Sequence, residues 1–348
     1  RESLPELLGY FRTNHAIVIT GPRRVGKSTL LYQVLSSLKK EDFYYFAFDD
    51  ERLVSFTEQD FALLYELFLE LYGERKIFVF DEIQNVSSWE RFVSRLQKKK
   101  YKFILTGSNA FLLSKEFSTF LTGRHLDLIL IPFSFHEFLV LKNKLPPQEI
   151  SRLSPSQCRE LKHAFLEFFV AGGFPEYLKV REKEILKRLY EDIVLKDVVL
   201  RYNIREKGSL REIAFHLLSQ VARPFSYTSL KNAYSVKNTT TVIDFLYYLE
   251  QTYLFFYVKK YSASLKVQSK SPQKVYCVDQ GLVQVVAFRN SVDQGRILEN
   301  IVYLHLRRKK GLRVYYYLEK RECDFLVKEE EKISQAIQVC YELNRENR

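Results

Sequence analysis

No apolar run in this sequence approaches the ~18 to 20 residues that a membrane-crossing helix needs. The longest greasy stretches, 77–80 and 126–131, have the length of strands. A membrane span is therefore not expected. Residues 1–12 are mixed and charged, so a signal peptide is not expected either, and the chain reads as cytoplasmic. Cysteine is scarce. Cys158, Cys277, Cys323 and Cys340 lie far apart and no two have CxxC spacing, which speaks against a zinc site or a redox dithiol. Each is expected to be a small buried residue in a reducing compartment. Methionine is missing altogether from the 348 residues, which is unusual at this length.

What is present is enough apolar side chain, 46%, to build more than one core. The net charge of +12 is unevenly placed. Residues 1–150 carry 20 basic and 19 acidic side chains, whereas 201–274 carry 12 basic against 4 acidic. A basic stretch confined to one domain is the electrostatic footprint of a polyanion binder, and DNA is the expected partner.

In the first half, short apolar runs alternate with amphipathic stretches. Strands are expected at 16–20, 43–48, 76–80, 102–106 and 126–131. Helical spacing covers 28–38, 60–72, 89–97 and 133–141. That alternation predicts an α/β domain with a parallel sheet covered on both faces. Pro146-Pro147 breaks the pattern and marks an expected boundary. Residues 155–200 have helical periodicity. The stretch 209–258 reads helix, short helix, helix and aromatic strand, the order of a winged helix-turn-helix. Residues 239–249 are the expected recognition helix, and 254–264 part of the wing. The last section reads strand, helix (294–309), then strands at 313–317, 323–327 and 336–340. The domains expected are thus 1–145, a helical lid or linker over 146–205, a winged helix over 206–272, and a small α+β domain over 273–348.

The most specific signal is Gly21-Pro22-Arg23-Arg24-Val25-Gly26-Lys27-Ser28, followed by Thr29. It matches G-x-x-x-x-G-K-[ST] between an expected strand and an expected helix, the P-loop context. Glycines let backbone N–H groups wrap phosphates, and the helix start points its positive dipole end at them. Lys27 is expected on the β- and γ-phosphates of ATP, and Ser28 on Mg²⁺. Ile77-Phe78-Val79-Phe80-Asp81-Glu82 completes the set: a buried strand delivers two carboxylates at its C-terminal edge. Asp81 is expected to hold Mg²⁺ and Glu82 to deprotonate the attacking water. The strand at 102–106 runs into Gly107-Ser108-Asn109, where Ser108 or Asn109 could position that water.

On these residues the chain resembles the AAA-plus superfamily of P-loop NTPases. It looks most like a prokaryotic and archaeal ATPase family with an AAA domain, a winged helix and a C-terminal restriction-endonuclease-like domain. The matching segments are GPRRVGKSTLL (21–31), IFVFDEIQN (77–85), LTGSN (105–109), LTGR (121–124), PFSFHEFL (132–139), GGFPEYL (172–178), DIVLKDVVLRY (192–202), VYCVDQGL (275–282) and ECDFLV (322–327). The resemblance implies that Asn109 is a sensor-like residue. It also puts Arg124 just before the last core strand, where many such proteins carry an arginine finger, usually across a subunit interface of a homo-oligomer; the alternative is a structural arginine capping the turn after Gly123. It sets Glu299 and Asp324 in the first two positions of a nuclease-like site. Gln338 and Cys340 stand where Glu-x-Lys is expected, so an active nuclease is not expected. In the winged helix, Lys231, Lys237, Asn238, Thr239 and Thr240 are the expected DNA contacts. Lys259, Lys260, Lys266, Lys270 and Lys274 would line the wing and its exit, with Tyr257 and Tyr261 between them. Three readings follow: an ATPase acting with DNA, a nucleotide-dependent switch or assembly scaffold, and, least favoured, an ATP-dependent nuclease.

Overall fold

The computed structural model describes residues 1–109, 123–146, 150–288, 293–319 and 321–342. Pro147 and the first two residues of the LTGR segment lie outside them. The chain divides into two compact units, Arg1–Ile131 and Pro132–Arg348.

The first unit is built on five parallel strands: β1 (Ala16–Thr20), β2 (Phe43–Ala47), β3 (Ile77–Asp81), β4 (Lys102–Gly107) and β5 (His125–Ile129). Their order across the sheet is β2-β3-β4-β1-β5. Helices Lys27–Leu35, Asp60–Tyr72 and Trp89–Lys98 run between strands, the crossovers that parallel pairing requires. This mixed α/β arrangement is the P-loop NTPase fold expected from the motifs. Side chains alternate between faces with period two. Phe78, Phe80 and Phe103 join Tyr44, Phe61, Phe68, Trp89 and Phe92 in an aromatic layer. Ile17, Ile19, Val79 and Ile104 turn the other way, into an aliphatic layer with Leu30, Leu31 and Val34.

The boundary falls at 131/132, ahead of the expected 145/146. The reason is aromatic packing: Phe135 and Phe138, on helix Phe135–Leu141, pack edge-on or tilted against Phe165 and Phe168 of helix Pro155–Ala171. Helix Lys183–Asp192 continues into a π-helical stretch, Ile193–Leu200, which makes up most of the DIVLKDVVLRY segment.

Three of the segments carrying the resemblance meet at one carboxylate. Asp279 caps the helix Gln280–Val286 by accepting from Leu282 N at 3.1 Å, and also accepts from Gly173 N at 2.6 Å. Gly173 O in turn accepts from Phe133 N at 2.8 Å. Close approach explains the glycine pair. Gly172 has φ +75°, and a Cβ there would lie 2.2 Å from Asp279 Oδ1. A Cβ on Gly173 would lie 2.4 Å from Phe133 O. Burial pushes the Asp279 carboxyl up to about 7, although the N–H groups of Gly173, Leu282 and Gly281 and the Arg308 guanidinium pull the other way.

Two small antiparallel sheets complete this unit. Strands β6 (Pro224–Phe225), β7 (Phe255–Lys259) and β8 (Gln273–Cys277) are ordered β6-β8-β7. They follow or bracket the helices Lys207–Ser219, Tyr227–Ala233 and Thr239–Gln251. Strand β8, read from the sequence as the start of the last domain, thus pairs with β7. The connection from β7 to β8 holds a short helix, Leu265–Lys270. Strands β9 (Leu312–Leu318), β10 (Glu322–Glu329) and β11 (Lys332–Ile337) form the other sheet, ordered β11-β10-β9. The last strand is therefore 332–337, not 336–340. Gln338, Val339 and Cys340 follow it, because the Asp324 carboxylate captures Val339 N at 2.9 Å and takes that N–H out of the ladder. Of the cysteines only Cys277 is buried; Cys158 is exposed.

A raised carboxyl binds its proton more tightly in the folded chain. Its contribution to stability is present below the unfolded value, near 4, and is lost as pH rises through 7. Urea unfolding from pH 4 to 7 should show the wild type losing stability relative to Asp279→Asn, by at most ~1.4 kcal/mol per pH unit. Parallel pH profiles would contradict this assignment.

Candidate functional site

The phosphate loop leaves the C-terminal end of β1 and enters helix Lys27–Leu35. Gly21 (φ +148°) and Gly26 (φ +94°) adopt backbone conformations that side chains resist. A Cβ on Gly21 would lie 2.0 Å from the Leu130 carbonyl oxygen. Arg23 is half-buried, Arg24 and Thr29 are exposed, and Ser28 is half-buried at the first turn of the helix. Lys27 is 4% exposed. Its Nζ donates to Gly21 O at 3.2 Å and Pro22 O at 3.1 Å, and faces Glu82 Oε1 at 3.5 Å.

Sheet order brings the acidic pair to the loop. Strand β4 lies between β1 and β3, so its end, Thr106 to Asn109, stands between the phosphate loop and Asp81-Glu82. Asp81 is buried, accepting from the Thr106 hydroxyl on Oδ1 and from Tyr45 OH at 3.4 Å on Oδ2. Glu82 has φ +51°, a left-handed residue just past the strand, and its N–H donates to Thr106 Oγ1 at 3.0 Å. Such a conformation in a non-glycine residue costs of the order of 1 kcal/mol and gathers at working sites. Burial raises the Glu82 carboxyl, but the Lys27 ammonium, the Gln84 amide and the Arg23 guanidinium outweigh it, so it lies below its usual range. Asn109 and Ser108 are both buried at the β4 end.

Glycine-lined backbone and oxygen donors fit a nucleotide with Mg²⁺. The glycines at the two ends of the loop let its backbone take these turns, and Ser28 and Asp81 offer the hard oxygens this cation prefers. Arg124 is exposed at the other end of the sheet. Its carbonyl accepts from Ala16 N at 2.9 Å, at the start of β1. The five residues of β1 set it roughly 17 Å from the loop of its own chain.

The nuclease-like residues converge in a different way from that expected. Lys274 is 1% exposed, and its Nζ lies 3.0 Å from Glu299 Oε1, 2.8 Å from Glu322 Oε1 and 3.3 Å from Asp324 Oδ1. Tyr276 OH donates to Glu299 at 2.7 Å and Gln338 Nε2 to Asp324 Oδ2 at 2.8 Å. Burial raises the Glu299 carboxyl to about 7 against the pull of Lys274. Lys274 is therefore no wing residue: it is a buried cation set among three carboxylates. Among the described residues no group of three or more His, Cys, Asp or Glu is placed to hold a metal ion. Tyr257 likewise faces inward, its ring 5.4 Å from that of Phe225 and its hydroxyl buried. Lys237, Asn238, Thr240 and Lys259 are exposed, and Lys231, Thr239 and Lys260 half-buried. Asn238 precedes helix Thr239–Gln251 without capping it through its side chain.

Sequence reasoning missed Thr106, Tyr45 and Gln84 around the acidic pair, and Lys274 and Tyr276 around Glu299. It also missed Asn300, whose carboxamide pairs with both backbone groups of Cys277 at 2.8 and 3.0 Å. The DEIQN segment held a signal, since its glutamine stands two residues after Glu82.

Comparison with known proteins agrees with the fold. A family model described as an AAA domain matches residues 13–139, and one described as a domain of unknown function matches 162–293. The uncharacterized protein MJ1544 of Methanocaldococcus jannaschii is 35% identical, over 96% of this chain and 76% of its own length. An uncharacterized protein of Haemophilus influenzae is 29% identical, over 98% and 86%. Among solved structures, a Walker-type ATPase of Pyrococcus abyssi is 18% identical with a TM-score of 0.47, over 82% of this chain and 95% of that one. No described helix is long and apolar enough to cross a membrane.

Removing the Lys274 cation leaves buried carboxylates unmatched. Lys274→Met should lower the unfolding free energy by about 3–5 kcal/mol. Glu322→Gln, at the half-exposed rim, should cost under ~1 kcal/mol. Denaturant unfolding of both variants checks the contrast, and equal losses would show that the cluster is not organised around its cation.

Proposed function

This chain belongs to the protein family of MJ1544 and carries an AAA domain over residues 13–139, and on that premise we propose that it binds and hydrolyses ATP with Mg²⁺ and acts with DNA. The observation that carries the reading is the meeting of Lys27 and Glu82 at the phosphate loop, 3.5 Å apart. Lys27 exchanges its loop carbonyls for the β- and γ-phosphates. The loop from Gly21 to Thr29 cradles those phosphates with its N–H groups. Ser28 and Asp81 hold Mg²⁺, which supplies positive charge to the phosphates when bound. Glu82 takes the proton of the attacking water, and Asn109 orients that water. The energy released changes the relation of the nucleotide to the surrounding elements and so the conformation of the chain.

The DNA role rests on charge and on local order. The helix–β6–helix–helix–β7–β8 succession supports a winged helix, with Thr239–Gln251 as its recognition helix. Lys231, Lys237, Asn238 and Thr239 lie at or before that helix start, and Lys259 and Lys260 begin the wing. The last segment, with β9 to β11, is read as endonuclease-like, with Lys274 set against its acidic pair Glu299 and Asp324. A second reading, a nucleotide-dependent assembly scaffold, is favoured by Arg124. Standing roughly 17 Å from its own loop, it could serve only the nucleotide of a neighbouring copy.

ATP turnover by wild type and Glu82→Gln, with and without duplex DNA in low and moderate salt, separates these readings. The expected result is turnover lost in Glu82→Gln, and raised by DNA in the wild type with a stimulation that fades as salt rises. Turnover indifferent to DNA at every salt, with nucleotide-gated assembly, would replace the DNA role with the scaffold.

A further inference from the structure

Both carboxylate oxygens of Glu82 are engaged. Oε1 faces Lys27 Nζ, and Oε2 accepts from Gln84 Nε2. The same Gln84 nitrogen reaches Ser108 Oγ at 3.3 Å, just past the end of β4. One carboxamide therefore ties the acidic residue after β3 to the end of the strand that separates it from the phosphate loop. Its orientation is settled by Glu82, because a flipped amide would set its oxygen against the carboxylate. The result is that Gln84 Oε1 is buried without a hydrogen-bond donor. An orphaned buried acceptor costs about 1–3 kcal/mol and calls for an explanation. The turn itself does not need Gln84, since Asn85 Nδ2 pins it to Phe48 O at 3.0 Å.

We propose that Gln84 is a positioning residue for hydrolysis, its nitrogen aiming Glu82 from Ser108 and its free carbonyl oxygen accepting a hydrogen bond from the attacking water. The inference rests on Glu82 being the base. In the step, the water oxygen forms a bond to the γ-phosphorus while the bond from that phosphorus to the β–γ bridging oxygen breaks, its electron pair leaving with ADP. One water proton passes to Glu82 Oε1, and the other O–H donates to Gln84 Oε1. Without nucleotide, Lys27 caps Oε1. Phosphates that draw Lys27 away uncover that oxygen, while Gln84 keeps Oε2 in place. The contact that binds the nucleotide is thus the one that releases the base.

The test uses Gln84→Met, which keeps the length of the side chain and removes the amide, and Gln84→Ala should Met misfold. Single-turnover and steady-state rates are measured beside the affinity for a non-hydrolysable ATP analogue. Expected are a kcat lower by roughly tenfold to a hundredfold and an affinity within about twofold of wild type. Adding Gln84→Met to Glu82→Gln should lower the single-turnover rate by much less than it lowers the wild type, because Gln84 aims Glu82 and places the water for it. A kcat within twofold of wild type beside an inactive Glu82→Gln would overturn the positioning role alone. So would a full additional loss in the double variant, or a loss of affinity with kcat unchanged. Wild-type turnover by Glu82→Gln would remove the base reading and this inference together.

Discussion

A lysine ammonium almost sealed from water is tolerable only where oxygens surround it, and each unit of this chain is organised about one. The two differ in what surrounds them. Lys27 faces two loop carbonyls and one carboxylate at 3.1 to 3.5 Å. In the proposed function those partners give way to phosphate oxygens of higher charge. Lys274 faces three carboxylates at 2.8 to 3.3 Å, two of them buried. That arrangement has little reason to open, since parting it would strand two or three negative charges in a poorly solvated place. The first ammonium is poised to move and the second to stay.

The first site depends on sheet order as much as on motif. Were β3 to pair directly with β1, Asp81 and Glu82 would crowd the phosphate loop. Inserting β4 adds one strand spacing, about 4.8 Å, to their separation, and fills the gap with short polar side chains. Thr106 serves both acidic residues, donating to the Asp81 carboxylate and accepting from the Glu82 amide. Ser108 and Gln84 add a second crosslink on the far side. Thr106, Ser108 and Gln84 turn the end of a hydrophobic strand into a set of oriented oxygens.

Much of the fold was legible. The five strands and three crossover helices of the first unit were readable from period and apolar runs, because a parallel sheet buried on both faces writes nearly continuous apolar strands. Boundaries were less so. The helix Phe135–Leu141 looked like the end of the first domain, but the partners of its aromatic rings lie later in the chain. The strand expected at 336–340 failed for a similar reason. Its alternation was plausible, but Asp324 competes for the Val339 N–H, and a carboxylate acceptor is stronger than a ladder carbonyl.

By itself the sequence determined the phosphate loop, the acidic pair and the parallel order of helix and strand, because each is a contiguous pattern whose chemistry depends on spacing along the chain. Only the tertiary structure decided which residues surround those groups. Gln84 meets Ser108, Lys274 meets Glu299 and Asp324, and Gly172-Gly173 close on Asp279 across 24 to 107 residues of chain. No local pattern encodes such meetings. They follow from desolvation, which makes every buried charge or amide find its match wherever packing brings one within reach.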